Sequence, residues 1–121
     1  NTAVSSNTVS IQPGFATPGA GNVFALDRNS FNPLVGESVS IIFSVATDSP
    51  NGAEVLIYNV AGQRVRTMKY IGLISSGITY TQLFVWDGRA DDGKLVTTGI
   101  YYIKFKAGSF TDIRTVAVIK K

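Results

Sequence analysis

The sequence contains neither cysteine nor histidine. Without cysteine there is no disulfide, no thiolate zinc site and no redox or thiol nucleophile chemistry. Without histidine the commonest general acid–base group is missing as well. Charge is also scarce: Asp, Glu, Lys and Arg make up 16% of the chain, against about 25% in an average globular protein. Serine, threonine, asparagine and glycine must therefore cover much of the surface, a composition common among exported proteins. No stretch approaches the ~18 consecutive apolar residues that a membrane helix requires, and the run Ser40–Ala46 is only strand length. The chain opens on Asn1 without Met and without a basic-then-apolar leader, so it reads as a processed mature form or a fragment of something larger.

Catalysis is not expected. The carboxylates Asp27, Glu37, Asp48, Glu54, Asp87, Asp91, Asp92 and Asp112 fall mostly at turns, where solvation is the default, and paired-carboxylate chemistry needs two of them in one cleft. No phosphate-cradling glycine loop precedes a helix. Neither a cofactor nor membrane insertion is implied. A length of 121 residues suits one domain, enough to withdraw roughly 65% of the unfolded chain's surface from water around a single core. The net charge of +3 is modest. Strand alternation places Arg64 with Arg66, and Lys104 with Lys106, on common faces. Such residues read as solvated sheet surface that discourages edge pairing. Nucleic-acid binding would need denser clustering and a reading element.

Residues 1–21 differ from the rest. They are rich in Ser, Thr, Asn, Gly and Pro, with one alternating apolar patch at Val9 and Ile11, and read as an extended arm or linker carrying a single short strand. From residue 22 to 121 strand signals recur. Val23–Asp27 is a short strand, and Phe31-Asn32-Pro33 with Gly36 marks a turn. Val39–Ala46 alternates like a half-buried strand. Pro50 and Asn51-Gly52 signal a reversal. Glu54–Asn59, Gln63–Tyr70, Thr79–Trp86, Ile100–Ala107 and Phe110–Ile119 complete the set, separated by turns at Ala61-Gly62, Ser75–Gly77 and Gly108-Ser109. About seven strands at this spacing, with no credible helix, predict an all-β antiparallel sandwich with an extended N-terminal arm. Its core should hold Ile41, Phe43, Ile57, Trp86, Tyr101, Ile103 and Phe105.

The segment Val55-Leu56-Ile57-Tyr58-Asn59-Val60-Ala61-Gly62-Gln63-Arg64-Val65-Arg66-Thr67 is followed by Trp86-Asp87-Gly88, Asp91-Asp92-Gly93, Gly99-Ile100-Tyr101-Tyr102 and a closing strand from Arg114 to Lys121. This order resembles the Ig-like domain first described in the flagellar hook-capping protein, a module that recurs at the C-termini of many secreted bacterial proteins. The resemblance extends over residues 31–121, including the Phe31-Asn32-Pro33 opening, and implies an Ig-like sandwich.

Each motif position has a structural reading. Trp86 offers a large apolar surface that can cap the core. Asp87 can accept N–H bonds within its own turn, and Gly88 and Gly93 supply unusual backbone angles. Gly99 begins a strand where a side chain is expected to clash with that turn, and Tyr101 faces the core. Two functional readings stand beside these. Asp87, Asp91 and Asp92 could converge on calcium, a hard cation that selects carboxylate oxygens, although the twelve-residue loop ending in a bidentate glutamate is missing. Tyr58, Tyr80, Trp86, Tyr101 and Tyr102 could stack on sugar rings, but alternation leaves only Tyr102 exposed on its strand.

The expected function is that of a non-catalytic structural module mediating protein assembly at the outer surface of a bacterial cell. It could be a self-assembling filament or appendage subunit whose arm, through Val9 and Ile11, adds a strand to a neighbouring copy. Alternatively it is the C-terminal sorting or anchoring module of a larger secreted protein, as the resemblance to type IX secretion tails implies, or a carbohydrate-binding accessory module. A hook-cap role fits least, because the helical export region of that protein is missing. The partner is then another copy of the chain or a parent polypeptide.

Overall fold

The computed structural model describes residues 21–121. The proposed arm, including Val9 and Ile11, lies almost wholly outside the described residues. Eight strands follow in order: β1 (Val23–Leu26), β2 (Ser30–Phe31), β3 (Val39–Ser44), β4 (Ala53–Tyr58), β5 (Arg64–Tyr70), β6 (Tyr80–Trp86), β7 (Gly99–Ala107) and β8 (Phe110–Val118). They form two sheets, one of three strands in the order β1-β3-β6 and one of five in the order β2-β8-β7-β4-β5. This is an all-β sandwich, and no α-helix occurs among the described residues.

Alternation explains how the layers close. On β7 the inward set Tyr101, Ile103, Phe105 and Ala107 is buried, whereas Ile100, Tyr102 and Lys106 between them are exposed, the period of 2 that a sheet with one wet face demands. Val55 and Ile57 on β4 and Val116 and Val118 on β8 extend that face, and Phe24, Val39, Ile41, Phe43, Phe84 and Trp86 answer it from the small sheet. Aromatic rings join the layers, with Phe43 and Phe105 centroids 4.4 Å apart and Phe24 and Phe105 5.4 Å apart. Such contacts add to area burial by about 0.5–1.5 kcal/mol each.

Three details depart from the sequence reading. Phe31, expected in a turn, belongs to β2, which pairs parallel with β8 through Ser30↔Ala117 and Phe31↔Val118, so the sandwich is not wholly antiparallel. The chain has crossed from the small sheet to the large one between Leu26 and Ser30, and it runs alongside β8 because Phe31 gains a buried seat edge-on to Trp86, 5.6 Å between centroids. A short 3-10 turn follows at Pro33–Val35, capped by the Asn32 side chain, which accepts the Leu34 N–H. Third, Arg64 and Arg66 do not share a face. A bulge in β5 pairs Arg66 with Ile57 and Arg64 with Tyr58, and those two neighbours point to opposite sides of the sheet. The extra residue shifts the alternation, as a bulge does.

Candidate functional site

The segment after β6 is where the chain concentrates its polar chemistry. Trp86, the last residue of β6, enters it fully buried, edge-on to Tyr101 at 5.5 Å. Its indole N–H donates to the carbonyl of Arg89 at 2.9 Å. Asp87 accepts the Arg89 N–H at 3.1 Å, and Asp92 accepts the Lys94 N–H at 2.9 Å, side-chain-made turns of the kind that aspartate favours. Gly88 adopts φ +84° with Pro33 Cβ only 3.1 Å from where its own Cβ would sit. Both the left-handed backbone and the close approach of the Phe31–Pro33 segment require glycine there. Gly93 adopts φ +86° in open space. At Gly99 the expected clash is absent: an added Cβ would meet nothing within 4 Å, so the turn itself does not demand glycine there.

Asp91 does something that local sequence does not reveal. Its N–H donates to the Val65 carbonyl at 2.9 Å and its carboxylate accepts the Thr67 N–H at 3.1 Å. β5 ends the five-stranded sheet, so one aspartate occupies two outward-facing backbone groups of an edge strand. The Arg66 guanidinium completes the arrangement, 3.9 Å from Asp87 and 3.8 Å from Asp91, while donating to the Arg89 carbonyl at 3.0 Å.

The three candidate calcium ligands are thus separated in purpose. The cation between Asp87 and Asp91 is Arg66, and Asp92 turns to its own loop. No group of three or more Asp, Glu, His or Cys side chains suited to a metal occurs among the described residues. The five candidate sugar-stacking aromatics are likewise dispersed. Trp86 and Tyr101 are in the core, Tyr101 donating its hydroxyl to the Thr97 carbonyl at 2.7 Å. Tyr80 stacks on Phe43 at 5.0 Å. Tyr58 and Tyr102 are cross-strand neighbours, with Tyr102 exposed on the outer face.

Lys104 and Lys106 do share the outer face of β7, beside Leu56 and Glu54. Glu54 lies between Lys106 at 4.0 Å and Lys69 at 3.9 Å, lining a shallow groove with Asp48 and Tyr70. Asp48 accepts the Ser76 N–H at 2.7 Å, and that bond, with a second from the Ser76 side chain, holds its carboxyl below the usual range.

The other edge of the large sheet is closed by a second device. β2 covers β8 only at its end, where Ala117 and Ile119 donate N–H bonds to Asn29 and Phe31. Four residues upstream of Ala117, on the same outward parity, the Ile113 N–H donates to the Asp112 carboxylate at 2.8 Å, and the Ile113 carbonyl accepts from the Arg114 guanidinium at 3.0 Å. Asp112 and Arg114 pair at 2.8 Å, and Arg114 lies over the Phe24 ring, 5.4 Å from its centroid.

A family model for the FlgD Ig-like domain matches residues 29–109. The chain belongs to the FlgD Ig-like domain family. The match contains the whole Trp86–Gly99 segment and ends before β8, short of the closing strand included in the sequence resemblance. No curated protein matches the chain. Among solved structures, the FlgD Ig-like chain is similar to part of PorZ, described as an essential bacterial surface component of the type IX secretion system of Porphyromonas gingivalis, with a TM-score of 0.51 and 18% identity. It is similar also to part of dimeric latent PorU from Porphyromonas gingivalis, with a TM-score of 0.59 and 15% identity. The alignments cover 89% and 93% of this chain but only 13% and 10% of PorZ and PorU respectively. At that identity the likeness is one of fold.

Proposed function

We propose that this FlgD Ig-like domain is a non-catalytic assembly module displayed at a bacterial cell surface, and that it contacts other proteins through strand edges. The observation that carries this reading is the use made of the polar motif: Asp87, Asp91, Asp92, Arg66 and Arg89 are spent on closing a loop and a sheet edge, not on a reactive centre. Adding a strand to a sheet needs only main-chain groups and a few apolar anchors. The likeness to a module-sized portion of PorZ, a surface component, supports the location.

Within this reading, residues 1–21 form an arm whose Val9 and Ile11 pair with a neighbouring copy, and repetition along a polymer multiplies a modest contact. A second reading makes the chain an appended sorting or anchoring module of a larger secreted protein, favoured by the small fraction of PorZ and PorU that it matches.

Sedimentation of the chain over a range of concentrations, with and without residues 1–21, tests the proposal. Concentration-dependent association that disappears on deletion, with an unchanged melting temperature, is the expected result. A destabilised monomer with unaltered association would overturn the arm's role.

A further inference from the structure

The sandwich has edges of very different character. Asp91 occupies the edge of β5, and Asp112 with Arg114 occupies that of β8. β1 is four residues long, and Arg114 lies over its Phe24. β6 is the exception. Among the described residues it ends the three-stranded sheet, runs for seven residues as Tyr80-Thr81-Gln82-Leu83-Phe84-Val85-Trp86, and carries no charge and no proline. Exposed edge strands normally carry one or the other, because an uncharged β-rich edge is a template for another chain.

Its backbone is turned the right way. The Ser40 carbonyl accepts from Asp27, so Ser40 faces β1. By alternation Val39 and Ile41 face β6, where they pair with Trp86 and Phe84. Val85, between those two, directs its N–H and C=O away from the sheet, and its side chain is 36% exposed.

We infer that the β6 edge at Thr81–Val85 is the acceptor for residues 8–11 of a second copy of this chain. This rests on the assembly reading above and names its acceptor surface. Thr8-Val9-Ser10-Ile11 is β-competent, and no charged residue precedes Asp27, so donor and acceptor are both uncharged segments with nothing to repel. The chain enters the three-stranded sheet at β1, and β6 lies at the opposite edge with β3 between them, so the donor segment joins at one edge of the sheet and the acceptor lies at the other. Each copy then donates at one place and accepts at another, a head-to-tail contact that builds rings or open filaments.

The test compares the full chain with Val85→Lys, Thr81→Lys and the deletion of residues 1–21, by sedimentation and circular dichroism. Both lysine variants alter exposed positions and should keep the fold and melting temperature while losing the higher-mass species. A copy lacking residues 1–21 retains its acceptor, and Val85→Lys retains its arm, so mixing the two monomers should give a one-to-one complex. If the unaltered chain is monomeric throughout, the assembly reading itself is wrong. If it assembles, and the lysine variants assemble equally well or the mixed pair does not combine, assembly stands and the β6 acceptor is overturned.

Discussion

Trp86 and Arg89 are joined by a hydrogen bond of 2.9 Å from the indole N–H to the backbone carbonyl, and the same carbonyl accepts from Arg66 at 3.0 Å. One oxygen therefore ties a buried core side chain to the loop and the loop to the edge of β5. Trp86→Ala should cost about 3–5 kcal/mol, the usual penalty for emptying a large buried site, and Trp86→Phe less, since a ring remains. Denaturant unfolding measures both. The folded protein should emit at the short wavelengths of buried indole, and emission like that of free tryptophan would contradict the assignment.

Asp91→Ala removes the acceptor of the Thr67 N–H and reopens part of the β5 edge. The expected loss is about 1 kcal/mol, that of one partly exposed hydrogen bond, together with increased light scattering on concentration. Asp91→Asn keeps an acceptor oxygen and should scatter no more than the unaltered protein.

Gly88 and Gly99 should respond differently to the same change. Gly88→Ala combines a left-handed backbone with a 3.1 Å approach to Pro33 Cβ and should exceed the ~1–2 kcal/mol that the backbone conformation alone costs. Gly99→Ala meets open space in a strand and should leave stability unchanged or slightly raised. Comparable losses at both sites would show that the loop's packing has been misassigned.

Removal of divalent metal should leave the melting temperature where it was, because Arg66 already stands between Asp87 and Asp91. A loss of several degrees on chelation, restored by calcium, would make these carboxylates ligands.

Asp48 supplies a pH signature. Its carboxyl is held below its ordinary value by the Ser76 hydrogen bonds, so its contribution is present above the unfolded pKa of about 3.9 and fades as pH falls through the lower folded value. Melting curves of the unaltered protein and Asp48→Asn should differ slightly at pH 6 and converge as the pH falls below 4. A difference that widens in acid would reverse the sign of the shift.

Strand positions were legible from sequence, because they depend on local patterns: the alternation of Tyr101, Ile103 and Phe105, and the reversals at Asn51-Gly52 and Gly108. So were the sandwich class and the core membership of all seven residues expected there, each buried in the structure, since a period of 2 fixes which side of a strand is apolar. The tertiary structure decided what depends on partners distant in the chain. It set Phe31 beside Val118, moved Arg64 and Arg66 to different faces through one extra residue in β5, and gave Asp91 the backbone of Val65 and Thr67 to hold. An aspartate in a glycine-rich loop has the same local sequence signature whether it binds a cation, makes its turn or closes an edge. Only the strand that packs against it selects among the three.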